Sequence, residues 1–141
     1  MHKVFLDANV LFAASYSPTG GSAKLINLRK ENKLSLYSSR LAVKEAERNL
    51  RRKAGESELD RFYRLIEEAQ IILTDAKKEI AKSQFKDIVV EKDAQILASA
   101  IKSKAKFLIT LDRKHLLTPK IQKAKLPIKI ITPGQFIQDY L

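Results

Sequence analysis

The sequence predicts an α/β domain whose parallel sheet is covered by helices on both faces. Three observations carry this expectation. Short apolar runs alternate with helical patterns, the signature of parallel strands joined by helical crossovers. Two of those runs, KVFL at 3–6 and KFLIT at 106–110, lead directly into acids, Asp7 and Asp112. The 141 residues contain no internal repeat, low-complexity tract or linker, so one domain over 1–141 is expected.

Residues 3–6 form the first strand, and a helix over 8–16 follows it. SPTGGS at 17–22 is the clearest loop signal, with Ser22 placed to cap a helix over 23–30. Leu34 to Tyr37 reads as the second strand. Ser38 and Ser39 introduce a helix over 40–53 whose exposed face is basic: Arg40, Lys44, Arg48, Arg51 and Arg52. Gly55 ends it. Ser57 with Asp60 resembles a capping box for a helix over 58–70. IIL at 71–73 is a short strand, and 76–83 is a helix.

The helix over 92–103 is well marked. Asp93, Leu97, Ala100 and Ile101 lie at i, i+4, i+7 and i+8, on one side of a 3.6-residue period. Lys92, Gln95, Ser99 and Lys102 fall opposite. KFLIT is the next strand, with Asp112 in the turn beyond it. IKII at 128–131 is the last strand. Thr132 as N-cap and Pro133 at the first helical position start the closing helix over 133–140.

Composition narrows the function. Hydrophobic residues make up 45% and charged residues 30%, a globular balance. There are 27 Lys and Arg against 16 Asp and Glu, a formal net charge of +11, which favours a polyanionic partner such as nucleic acid. Absence of Cys excludes disulfides and thiolate metal ligands. No uncharged run approaches a membrane span, and no leader pattern stands out, so a soluble cytoplasmic protein is expected.

Against this basic background, Asp7, Glu45, Asp93 and Asp112 stand out. Buried carboxylates are costly unless paired, protonated or bound to a cation. In open α/β sheets the ligand crevice lies beyond the carboxyl ends of the strands, where Asp7 and Asp112 both sit. Clustered acids suit Mg²⁺ or Mn²⁺, which prefer oxygen ligands. Asn9 and Thr110 are polar residues able to orient a carboxylate. Each acid also has an ordinary role: Asp7 as a helix cap, Glu45 as a helix charge near Arg48 and Asn49, Asp93 in a first helical turn, Asp112 in a turn. Their joint placement carries the reading.

The opening VFLDANVLFAA resembles that of PIN-domain nucleases, a hydrophobic strand followed by Asp-x-Asn. GGSAKLI, SSRLAVKEAERNL, KDAQILASAI, FLITLDRKHL and ITPGQFI match later motifs of the family in order, across nearly the whole chain. The resemblance implies a three-layer α/β/α PIN-like domain. It also implies Mg²⁺- or Mn²⁺-dependent cleavage of single-stranded RNA, often as the toxin of a toxin–antitoxin pair. An antitoxin protein and a homodimer are the partners it brings. Carried over by motif, Asp7, Glu45, Asp93 and Asp112 are the catalytic acids, with Asp7, Asp93 and Asp112 on the metal. Asn9 and Thr110 support them. Some members carry a further acid four residues after the last Asp, where this chain has Leu116.

Metal-dependent phosphodiester hydrolysis is the expected chemistry. Arg40, Lys44, Arg48, Arg51, Arg52, Arg113 and Lys114 would hold the strand, and Tyr16 or Tyr37 could stack a base. The alternative is a non-catalytic nucleic-acid-binding module of the same PIN-like fold. A phosphatase of the Asp-x-Asp type would want an acid where Asn9 stands. Acid–base cleavage by His2 and His115 would need both within reach of one phosphate. No G-x-S-x-G motif supports Ser–His hydrolysis.

Overall fold

The computed structural model describes residues 1–141. In chain order the elements are β1 (His2–Leu6), α1 (Ala8–Tyr16), α2 (Gly21–Asn27) with a 3-10 turn over Leu28–Glu31, β2 (Leu34–Ser38), α3 (Arg40–Lys53), α4 (Glu56–Glu68) and β3 (Ile72–Leu73). Then come α5 (Lys78–Phe85), α6 (Glu91–Lys102), β4 (Phe107–Ile109), α7 (Pro119–Lys123), β5 (Lys129–Ile131) and α8 (Pro133–Tyr140).

The five strands form one parallel sheet in the order β3-β2-β1-β4-β5. The chain builds outward from β1 through β2 and β3, then returns to lay β4 on the other side of β1. The order therefore reverses between β1 and β4, and a crevice opens beyond their carboxyl ends. Val4 pairs with Leu36 on one side and Phe107 on the other. Val4, Phe5 and Leu6 are fully buried, as a central strand covered on both faces requires.

Helices α1, α2, α3, α4 and α8 pack among themselves as one layer, while α5 and α6 pair as the other. One hydrophobic core runs through all three layers, with Phe62, Leu97, Leu108 and Phe136 among its fully buried members. At the amino end of β1, His2 meets the rings of Phe107, Phe136 and Tyr140 edge-on. His2 thus lies a strand's length of about 16 Å from the carboxyl end. The two-histidine arrangement is excluded, because His115 sits at that other end, bonded to Asp112.

Local differences from the sequence reading have simple causes. Gly20, not Ser22, is the N-cap of α2, and Ser22 is buried one position inside the helix's start. Gly55 starts α4, its N–H donating to Glu58 Oε2 at 3.2 Å, so the Ser57–Asp60 box does not form. Ser99 is buried rather than outward, because the segment leading into α5 crosses it. There Ala76 N–H donates to Ser99 Oγ at 3.0 Å. The short α7, capped by Thr118 with Pro119 behind it, repeats the Thr-Pro start of α8.

Candidate active site

Asp7 leaves β1 where the strand ends, and its main chain stays in the sheet: its N–H donates to Ile109 O at 3.0 Å. Its side chain is 6% exposed and caps α1, with Oδ1 accepting from Ala8 N–H at 2.7 Å. Oδ2 accepts from the Thr110 hydroxyl at 2.7 Å and from Asn9 Nδ2 at 3.2 Å. A carboxylate offers about four lone pairs, so three bonds leave roughly one free. The capping and functional readings of Asp7 are compatible: Oδ2 takes two bonds and Oδ1 one, so a lone pair remains on the capping oxygen while Asp7 lines the crevice.

Thr110 is fully buried and ties the two central strand ends together. Its Oγ1 also accepts from Asp112 N–H at 3.1 Å and from Asn9 Nδ2 at 3.3 Å. Asn9 closes the loop by accepting Leu111 N–H on Oδ1 at 3.0 Å. The β1 and β4 ends are thereby locked in register across a sequence separation of about a hundred residues.

Asp112 folds its own turn. Oδ1 accepts from Lys114 N–H at 3.1 Å and His115 N–H at 2.9 Å. Leu117 N–H returns to Asp112 O at 2.9 Å, and fully buried Leu116 pins the turn to the core. The Leu116 position points inward, consistent with an apolar residue rather than a fifth acid. Oδ2 of Asp112 is left facing His115 Nδ1 at 3.3 Å. Asp93, in the first turn of α6, places Oδ2 4.0 Å from the same nitrogen.

Glu45 enters from α3, its side chain 15% exposed and ion-paired with the Lys92 ammonium. Helical spacing brings Asn49 and Lys53 onto the same face. Together Asp7, Asn9, Phe12, Glu45, Asn49, Lys53, Lys92, Asp93 and Asp112 line one crevice of about 200 Å³. All four acids singled out in the sequence are therefore brought together.

The electrostatics follow from burial and like charge. Burial pushes the Asp7 carboxyl above its usual range, the Thr110 and Ala8 bonds pull it back, and Asp93 and Asp112 push it up again. Asp93 is also raised, first by burial and then by Asp112, while His115 and Lys92 act the other way. Asp7 has no cationic side chain as partner, and burial and like charge disfavour the ionised forms of Asp7 and Asp93.

Of the basic residues, Arg40 is committed to Asp75 at 2.6 Å, and Arg51 to the Tyr63 hydroxyl at 2.8 Å. Lys44, Arg48, Arg52, Arg113 and Lys114 are exposed and form no ion pair. Arg48 and Arg52 each lie one helical step from the Glu45–Asn49–Lys53 face and so flank the crevice. Tyr16 is exposed and stacks on crevice-lining Phe12 with centroids 5.7 Å apart, whereas Tyr37 packs against the core. In the sequence His115 stands out only as an acid–base candidate, Lys92 falls on the far side of its helix and Asn49 is only a neighbour of Glu45, while nothing marks Lys53 as a site residue. The signal for Asn49 and Lys53 was available as i+4 and i+8 from Glu45. For Lys92, its adjacency to Asp93 put it on the opposite side of the helical wheel, yet at a helix start its long stem reaches around to Glu45.

The PIN domain family model matches residues 3–114. No curated protein matches the sequence. Among solved structures, the chain resembles VapBC2 from Rickettsia felis bound to a DNA fragment from their promoter, at 16% identity and a TM-score of 0.66, covering 91% of this chain and 96% of that one. PAE2754 from Pyrobaculum aerophilum gives 19% identity and a TM-score of 0.64, covering 97% and 96%. VapC20 from Mycobacterium tuberculosis, a sarcin–ricin loop cleaving toxin, gives 12% and 0.60, covering 87% and 95%. At these identities the likenesses concern the fold.

Proposed function

The chain belongs to the PIN-domain family, its model spanning residues 3–114, and from that premise we propose a metal-dependent endoribonuclease acting on single-stranded RNA. The observation that carries this reading is the meeting of Asp7, Glu45, Asp93 and Asp112 in one crevice at the switch point of the sheet. We take residues 1–141 as one PIN-like domain working in the cytoplasm. No helix is long and apolar enough to cross a membrane.

The donor chemistry fits a divalent cation. Asp7 is a buried carboxylate without a cationic partner, and Asp93 and Asp112 present further oxygens toward the same space. Asp7, Asp93 and Asp112 would hold Mg²⁺ or Mn²⁺. Such an ion acidifies an attacking water and offsets charge on the scissile phosphate.

The chain's own residues do the rest. Thr110, Asn9 and the Ala8 N–H fix Asp7, so its remaining lone pair has one direction. The Lys114 and His115 N–H groups fix Oδ1 of Asp112 and leave Oδ2 turned into the site. Glu45 would orient the attacking water and accept its proton. Lys92, its present partner, would put an ammonium beside the phosphate if that pair opened. Lys44, Arg48, Arg52, Arg113 and Lys114 hold the flanking strand by its phosphates, which gives affinity but no sequence choice. Tyr16, stacked on Phe12 at the crevice, offers a face for one base.

Likeness to VapBC assemblies supports the further reading that this is the toxin of a toxin–antitoxin pair, with an antitoxin protein as partner; the working form would be a homodimer. The test is cleavage of single-stranded RNA with Mg²⁺ or Mn²⁺, by wild type and by Asp7→Asn. Cleavage that EDTA abolishes and Asp7→Asn lacks supports the reading. Full activity of Asp7→Asn overturns it. RNA binding without cleavage under every metal condition favours the binding-module alternative.

A further inference from the structure

We infer that His115 supplies an imidazole nitrogen to the cation held by Asp93 and Asp112, making the centre a mixed nitrogen–oxygen site that prefers a first-row transition ion to Mg²⁺. This rests on the crevice being a divalent metal centre, as proposed above. One ligand atom each from Asp93, Asp112 and His115 lies within 4.8 Å of the other two. His115 Nδ1 is 3.3 Å from Asp112 Oδ2 and 4.0 Å from Asp93 Oδ2. Around an ion with ligands at about 2.0–2.1 Å, neighbouring donors lie about 3 Å apart and opposed donors about 4 Å apart. The three atoms thus need only a small inward turn to share one ion.

The backbone has fixed this arrangement in advance. Oδ1 of Asp112 is occupied by two N–H groups, one of them from His115 itself. That turn carries the imidazole to the same side as Oδ2, and Leu116 anchors the next residue in the core. The nitrogen facing the acids is Nδ1. In its neutral tautomer with the proton on Nε2, Nδ1 offers a lone pair. A hard, oxygen-seeking Mg²⁺ gains little from that nitrogen, whereas affinity for imidazole rises along the first-row series toward Ni²⁺.

The competing role is that of an imidazolium neutralising two acids, and substitution separates the two. Tag-free protein is titrated with MnCl2, CoCl2, NiCl2 and MgCl2 by calorimetry, and the Mn²⁺ form is examined by pulsed EPR for coupling to nitrogen. The wild type is expected to show an imidazole nitrogen coupling. His115→Gln should lose it and bind Mn²⁺ at least about tenfold more weakly, the low end of what losing even an outer partner of a metal ligand costs. The loss should grow from Mn²⁺ to Co²⁺ to Ni²⁺, with Mg²⁺ affinity changed less than twofold. His115→Lys, which keeps a positive charge but has no imidazole, should behave like His115→Gln.

The chain has two histidines, and His2 is packed among aromatic rings at the far end of β1, so a nitrogen signal reports on His115. His115 is exposed, so its replacement leaves the core intact, which a thermal melt checks. Bound Mn²⁺ with no nitrogen coupling, or coupling that survives in His115→Gln, overturns the assignment while leaving the carboxylate centre standing. A His115→Lys protein with wild-type metal affinities overturns it in favour of a charge role. Failure of wild type to bind any of the four ions removes the metal centre and this ligand together.

Discussion

Asp93→Asn is expected to make the metal-free protein more stable while destroying its activity. Ligand oxygens of Asp93 and Asp112 lie within 4.8 Å of each other. Two unit charges at that distance repel by about 1 kcal/mol in water and about 3.5 kcal/mol at an effective dielectric of 20. The Asp93 side chain is 13% exposed, but His115 and Lys92 offset much of the repulsion, so the lower figure is taken. Removing about 1 kcal/mol of repulsion from a chain of this length raises Tm by about 3–4 °C. The pH dependence follows from the raised carboxyl. Below its unfolded value of 3.8 the group is protonated in both states and costs nothing. The penalty appears as pH rises through the higher folded value, so the variant's advantage is present at pH 7 and vanishes near pH 3.

A divalent cation is expected to reverse the ranking. Ligand at a hundred times its Kd stabilises the wild type by about 2.7 kcal/mol, and the variant, short of one oxygen ligand, by much less. Melting curves recorded by differential scanning fluorimetry in EDTA and across a MnCl2 series should therefore cross. A lower Tm for Asp93→Asn in EDTA at pH 7 would refute the charge-repulsion account of the crevice, and an equal rise with Mn²⁺ in both proteins would refute Asp93 as a metal ligand.

Thr110→Val keeps the shape of the side chain but removes the donor to Asp7 and the acceptor for Asp112 N–H. A loss of about 1–3 kcal/mol in urea unfolding is expected, with Thr110→Ser near wild type; equal losses for both would remove the hydroxyl from the explanation. Leu116→Ala should cost about 2–5 kcal/mol by cavity formation, and its RNA cleavage should fall more than its RNA binding, because the turn presenting Asp112 loosens. Unchanged cleavage would show that the turn holds itself. Arg48→Ala with Arg52→Ala should lower the slope of log binding constant against log salt by about 1.4 if each meets one phosphate of single-stranded RNA. Arg40→Ala, already engaged by Asp75, should leave that slope alone; a matching change there would mean the pair opens on binding.

Much of the fold was legible because parallel strands and their crossover helices carry different periods. The β1, β2, β4 and β5 runs, and helices such as α3 and α6, appear within a residue or two of where the pattern placed them. What misled were short polar residues within helices. Ser22, Ser57 and Ser99 have the chemistry of caps or surfaces, but neighbouring backbone decides which hydrogen bonds they make. Basic residues behaved similarly. Arg40 and Arg51 look as free as Arg48 in the sequence, and only the positions of Asp75 and Tyr63 show that they are engaged.

By itself the sequence determined which residues carry negative charge into an otherwise basic chain, and that two of them end apolar strands, because burial of an acid leaves a mark in local pattern. Only the tertiary structure decided who meets whom. Strand order β3-β2-β1-β4-β5 brings Asp7 beside Thr110, folds Asp112 and His115 toward Asp93, and hands Glu45 to Lys92. Periodicity is a short-range property of the polypeptide, whereas these partnerships span tens to a hundred residues and exist only once the sheet has fixed its register.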